Sequence, residues 1–174
     1  MPKSLKGYKA FRMGAVAADG GMGTALTAVG TTVKGSVSAE SSDATTKDFN
    51  IEEQSGAYES VVTEQPVLSG VLEIYDIDPD VAIKFFGGTS TTTGTGATKR
   101  KVFTPPVVFQ PLEVSGEIES LNGAILGVVR MQLLPKWTLP FQDEELGKLT
   151  IAWKTLGPKK AATAAYTISV ADPA

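Results

Sequence analysis

Cysteine and histidine are both missing from this chain. Without cysteine there are no disulfides, which fits a cytosolic origin. The two absences together exclude Ser-His-Asp triads, Cys-His dyads, Cys/His zinc sites and the usual general base. Any catalysis would rest on carboxylates, lysines or tyrosines alone, and the chain is read as a non-enzyme. Long apolar runs are missing too, and none approaches the roughly 20 residues of a membrane span. The basic start, MPKSLKGYKAFRMG, is not followed by an apolar block, so it does not read as a secretory signal.

What is present is strand and turn chemistry. Glycine and proline are frequent (18 and 10 of 174 residues), and Thr and Val are abundant. The length suits a single domain over residues 1–174, large enough to bury about 70% of its unfolded surface. One stretch, Val67 to Gly88, organises the rest. Leu68, Gly70, Leu72 and Ile74 alternate with Ser69, Val71, Glu73 and Tyr75, which predicts a strand with one apolar face. Asp78-Pro79-Asp80 is a helix start, with an Asp cap, a proline in the first turn and an acid at the positive dipole end. Val81, Ala82, Ile83, Phe85 and Phe86 make the short helix apolar, and Gly87-Gly88 stops it. Two turns are unstable alone, so this helix is expected to plug one end of a β core.

Strands are expected around this plug. They fall at residues 8–18, with Phe11 and Met13 opposite Arg12, at Thr31 to Glu40, at 47–54 and at Glu59 to Glu64. Further strands follow near Val102 to Thr104, at Glu113 to Leu121 and at Ile125 to Leu134. Asn122-Gly123 is a hairpin turn between the last two. Val129, Met131 and Leu133 are placed on one face there and Val128, Arg130 and Gln132 on the other. Pro135 to Pro140 reads as a linker, Leu146 to Leu156 as a long strand and Tyr166 to Val170 as the closing one. Residues 87–101, GGTSTTTGTGATKRK, have no apolar anchor and read as a mobile loop. Eight or more strands and one short helix make an all-β sandwich or barrel.

Charge is segregated along the chain. Residues 40–80 carry eleven carboxylates against Lys47, residues 1–38 have a balance of +4, and residues 81–110 carry four cations and no acid. Such blocks bring opposite patches on neighbouring subunits together. Motifs of small-molecule chemistry are weak by comparison. Asp76-Ile77-Asp78-Pro79-Asp80 begins like a calcium loop, but Val81 and Gly87 stand where its glycine and glutamate belong. The glycines at 20–23 and 94–96 lack the GK[ST] ending of a phosphate loop. Glu117 and Glu119, about 7 Å apart on one strand, have the spacing of glycosidase acids but no aromatic sugar platform. No metal or cofactor is expected.

Two segments carry a family likeness. Gly14-Ala15-Val16-Ala17-Ala18-Asp19-Gly20-Gly21-Met22-Gly23-Thr24, with Leu26 and Val29-Gly30, resembles the start of tailed-bacteriophage tail tube proteins. Asp76 to Thr89 resembles that family's short helix and glycine stop. The resemblance implies a β-sandwich or barrel flanked by one helix, in a virion tail subunit made in the host cytoplasm. Subunits would form hexameric rings that stack into a tube, meet other tail proteins, and pass DNA without binding it specifically. Outward acids Glu52, Glu113, Glu117 and Glu119 are then candidates to line the lumen and repel phosphates. Lys3, Lys6, Lys9, Arg12, Lys99, Arg100 and Lys101 are candidates for contacts between subunits or rings. The alternative is a β-sandwich binding module, an adhesin or carbohydrate-binding domain, for which Trp137 is the candidate aromatic platform.

Overall fold

The computed structural model describes residues 5–141 and 145–170. Its elements run β1 (Ala10–Gly14), β2 (Thr27–Ala28), β3 (Ser38–Ser41), β4 (Thr45–Asn50), β5 (Ala57–Glu64) and β6 (Leu68–Ile74). Then come α1 (Pro79–Phe86), β7 (Thr89–Thr93), β8 (Arg100–Thr104), β9 (Glu113–Glu119), β10 (Ile125–Thr138), β11 (Lys148–Thr155) and β12 (Tyr166–Ser169). The protein is all-β with a single short α-helix among the described residues.

One antiparallel sheet, in the order β2-β1-β9-β10-β11-β6-β3, holds the molecule together, and β12 pairs with the first half of β10. Its two edge strands are neighbours in the chain. Residues 27–41 leave the edge of β1, where the Val29 amide donates to Phe11, and arrive at the edge of β6. There the Tyr75 amide donates to Thr31 and the Val33 amide to Glu73, at 2.8–3.0 Å. A bond of 2.8 Å between the Tyr8 hydroxyl and Thr32 Oγ1 ties the seam. A single segment thus closes the curled sheet into a partly closed barrel, which removes most of its exposed edge.

Inside lie Phe11 and Met13 of β1, Leu68, Leu72 and Ile74 of β6, and Leu126, Val128, Met131 and Leu133 of β10. Leu149, Ile151 and Trp153 of β11 complete the sheet's share. Each such side chain contributes about 1.5–3 kcal/mol by leaving water. The indole of Trp153 fits only because Gly70 faces it, since a Cβ there would stand 2.6 Å from the ring. Helix α1 caps this core as expected. Asp78 accepts the Asp80 amide at 2.7 Å, Pro79 opens the first turn, and Gly87 ends the helix at φ 70°. Val81, Ala82 and Phe85 are buried, and Phe86 stacks on Trp137 at 5.3 Å with the rings 9° from parallel.

Four expectations are corrected. Residues 87–101 are not a loose loop: β7 and β8 pair as a hairpin around a 3-10 turn at Gly96–Thr98. Their β-branched threonines favour extended backbone. The anchor is Phe103 against Phe86, together with Ser90 and Lys101 bound to Asp80. The strand expected over Thr31 to Glu40 is broken by a turn at Gly35 (φ 80°), and only β3 survives from it. Pro135 lies within β10 and not in a linker. The Leu133 amide points to the β9 side, where it meets Leu112, and two residues on β9 has ended, so proline's missing N–H costs nothing. Finally, β10 changes register between Val128 and Met131. This bulge puts Leu126 and Val128 in the same core as Met131 and Leu133, which one uninterrupted alternation does not allow.

Candidate assembly surfaces

The outer face of the barrel is built by register. Arg12 stands opposite Glu117, Lys154 opposite both Gln132 and Ser69, and Thr150 opposite both Lys136 and Glu73. Its charges therefore alternate in sign: Glu73, Glu113, Glu117 and Glu119 among Arg12, Arg130, Lys136, Lys148 and Lys154. Three of the four lumen candidates, Glu113, Glu117 and Glu119, share β9, but they do not form a bare acidic row. Glu119 is buried and held by Lys9 and Arg12, each at 2.6 Å. These two cations, Lys9 first, hold its carboxyl below the usual range. Glu117 lies 3.9 Å from Arg12. Glu113 takes both arms of the Arg130 fork, at 2.9 and 2.7 Å, with Lys159 at 3.8 Å; these cations, Arg130 first, lower its pKa, and Glu113 in turn raises that of Arg130. Glu73 is likewise held by Lys148 at 2.9 Å.

The outward face of β9 is also partly covered. Ser115, also on the outward face of β9, is fully buried, because residues 15–24 fold back over it. The Gly23 amide donates to the Ser115 hydroxyl, which donates in turn to Val129 O at 2.6 Å. A side chain at position 23 would strike Ala15 O at 2.1 Å, so the glycine-rich turn serves close packing. The fourth acid, Glu52, belongs to a different sheet, in the exposed turn between β4 and β5.

The cations chosen as contact candidates divide similarly. Lys9 and Arg12 are spent on Glu119, and Lys101 reaches Asp80 and, at 3.6 Å, Asp78. Lys6, Lys99 and Arg100 are exposed and carry no ion pair among the described residues, while Lys3 lies outside them. Trp137, the platform candidate, is half-buried with one face covered by Phe86.

Two surfaces remain unpartnered. The β4–β5 hairpin forms its own two-stranded sheet, and every one of its six plus eight strand residues is exposed, among them Phe49, Tyr58, Val61 and Val62. None of them joins the core. Val102 of β8 and Val107, Val108 and Phe109 just after it are exposed, with the Phe109 ring edge-on to Phe86 of α1 at 6.3 Å. A half-open groove of about 600 Å³ runs along the seam between Tyr8, Val37, Ile118, Leu121 and Leu126. Its lining is mostly apolar, with the hydroxyls of Tyr8, Thr32, Ser38 and Ser120 and one charged side chain, Lys34. Among the described residues no three acids gather closely enough to hold a metal. Compared with protein-family models and with curated proteins, the chain matches none.

Proposed function

We propose that this chain is a structural, self-assembling subunit of the tail-tube kind, whose copies form rings that stack into a DNA-conducting tube. The β4–β5 hairpin carries this reading. A lone two-stranded sheet is marginally stable at best in water. Here one projects from the barrel with both faces wet and apolar side chains on each. Its natural complement is a surface on another molecule. The outer barrel face suits a channel wall, because interleaved charges of both signs give phosphates neither a row of free cations nor a uniform barrier. An adhesin-like role is the weaker reading, since Phe86 covers one face of its platform candidate Trp137.

Sedimentation velocity and negative-stain microscopy of the purified chain test this. Rings or tubes are expected, growing with protein concentration. A chain that stays monomeric at every concentration and salt would overturn it.

A further inference from the structure

The two unpartnered surfaces are complementary in charge and leave the barrel at opposite ends of one strand. The β4–β5 hairpin springs from the start of β6, where Ser42 and Val67 close its stem with bonds of 3.0 and 2.9 Å. The β7–β8 hairpin follows the end of β6, through α1. Seven residues of strand, about 20 Å, separate the stem of the first arm from the end of β6 that leads into α1. The first arm carries Asp48, Glu52, Glu53, Glu59 and Glu64 against Lys47. The second region, residues 81–110, carries Lys84, Lys99, Arg100 and Lys101 and no acid. Of these four, Lys101 alone has a close ion pair among the described residues, with Asp80 and Asp78. Each surface adds exposed apolar groups beside its charge: Phe49, Tyr58, Val61 and Val62 on the arm, and Val102, Val107, Val108 and Phe109 near the other.

We propose that the occupant of each surface is the other one on a second copy: the acidic β4–β5 arm docks on the basic β7–β8 hairpin and the exposed apolar side chains that follow it in the chain. This deepens the assembly reading above and rests on it. Donor and acceptor are different patches at opposite ends of β6, and the pairing proposed is head-to-tail, each copy giving its arm to one neighbour and its β7–β8 hairpin to another. Repeated in this sense the contact propagates into rings or filaments, whereas the same two patches paired reciprocally would close as a two-fold dimer. Apolar side chains supply the buried area, and the charges set partner and register.

Charge-reversed variants test the pairing. One carries Glu52→Lys, Glu53→Lys and Glu59→Lys, the other Lys99→Glu and Arg100→Glu. All five positions are exposed and make no ion pair among the described residues, so circular dichroism is expected to match the wild type. Alone, each variant presents like charges at both ends, and its assembly constant in sedimentation is expected to fall at least about tenfold. Mixed in equal amounts, the two variants restore assembly, because each arm now finds an opposite acceptor. Variants that assemble like the wild type, or a mixture that stays dissociated, would each overturn the pairing while leaving self-assembly standing, and a wild type that stops at a dimer would overturn its head-to-tail arrangement. A wild type that is monomeric throughout removes both.

Discussion

At the scale of single residues, the Lys9–Glu119–Arg12 cluster shows how the barrel uses charge. Arg12 projects from β1 onto an outer face where its own strand supplies no acid. Pairing β1 with β9 brings Glu119 within 2.6 Å of it, across 107 residues of sequence. Lys9 closes the other carboxylate oxygen. A carboxyl held below its ordinary value of 4.5 stabilises the fold fully above that value, and the contribution is lost as pH falls through the folded-state pKa. Glu119→Gln is therefore expected to be less stable than wild type near neutrality, with the gap closing on acidification. Urea midpoints measured from about pH 7 down to about pH 3 check this, and a gap that stays constant would show that the ion pairs are not its origin. Arg130 belongs to the same logic. Its outward placement was legible from alternation along β10, and its fork on Glu113 is what that placement allows.

Among the elements, α1 and the β4–β5 hairpin are opposites. The helix is short, capped by Asp78 and stopped by Gly87, and it lives on the burial of Val81, Ala82 and Phe85. All of this was readable locally, because caps, stops and an apolar face are written within ten residues. The hairpin has local strand signals as well but buries nothing in its own chain. Removing residues 44–65 and joining Asp43 to Pro66 through a short Gly-Ser link should leave the barrel's urea midpoint nearly unchanged while abolishing assembly. Loss of the fold on excision would mean that the arm stabilises its own barrel. The β7–β8 hairpin was the element hardest to see. Its threonines favour a strand, but the partners that order it, Phe86 and Asp80, sit on the helix it packs against. The bulge in β10 was equally hidden, since its local cost is repaid only by a core that needs both Val128 and Met131.

For the whole molecule, charge is balanced on the barrel and unbalanced on the arms. Surface attraction between exposed charges weakens as the Debye length shrinks from about 10 Å at 0.1 M salt to about 3 Å at 1 M. Assembly through the arms is accordingly expected to weaken over that range, read as a shift of the sedimentation boundary toward monomer, whereas the barrel's ion pairs are short enough to persist. Assembly that is indifferent to salt would assign the contact to apolar surface alone. The sequence by itself determined the all-β class, the capped helix and its burial, the Asn122-Gly123 hairpin and the segregation of charge into blocks. These depend on neighbours a few residues apart, where periodicity, capping and composition act directly. Only the tertiary structure decided that the sheet closes through residues 27–41, that β9's acids are matched by cations from β1 and β10, and that the two charged blocks become arms at opposite ends of β6. Those outcomes depend on which strands pair across a hundred residues, and alternation along one strand says which face a side chain takes but not what stands opposite it.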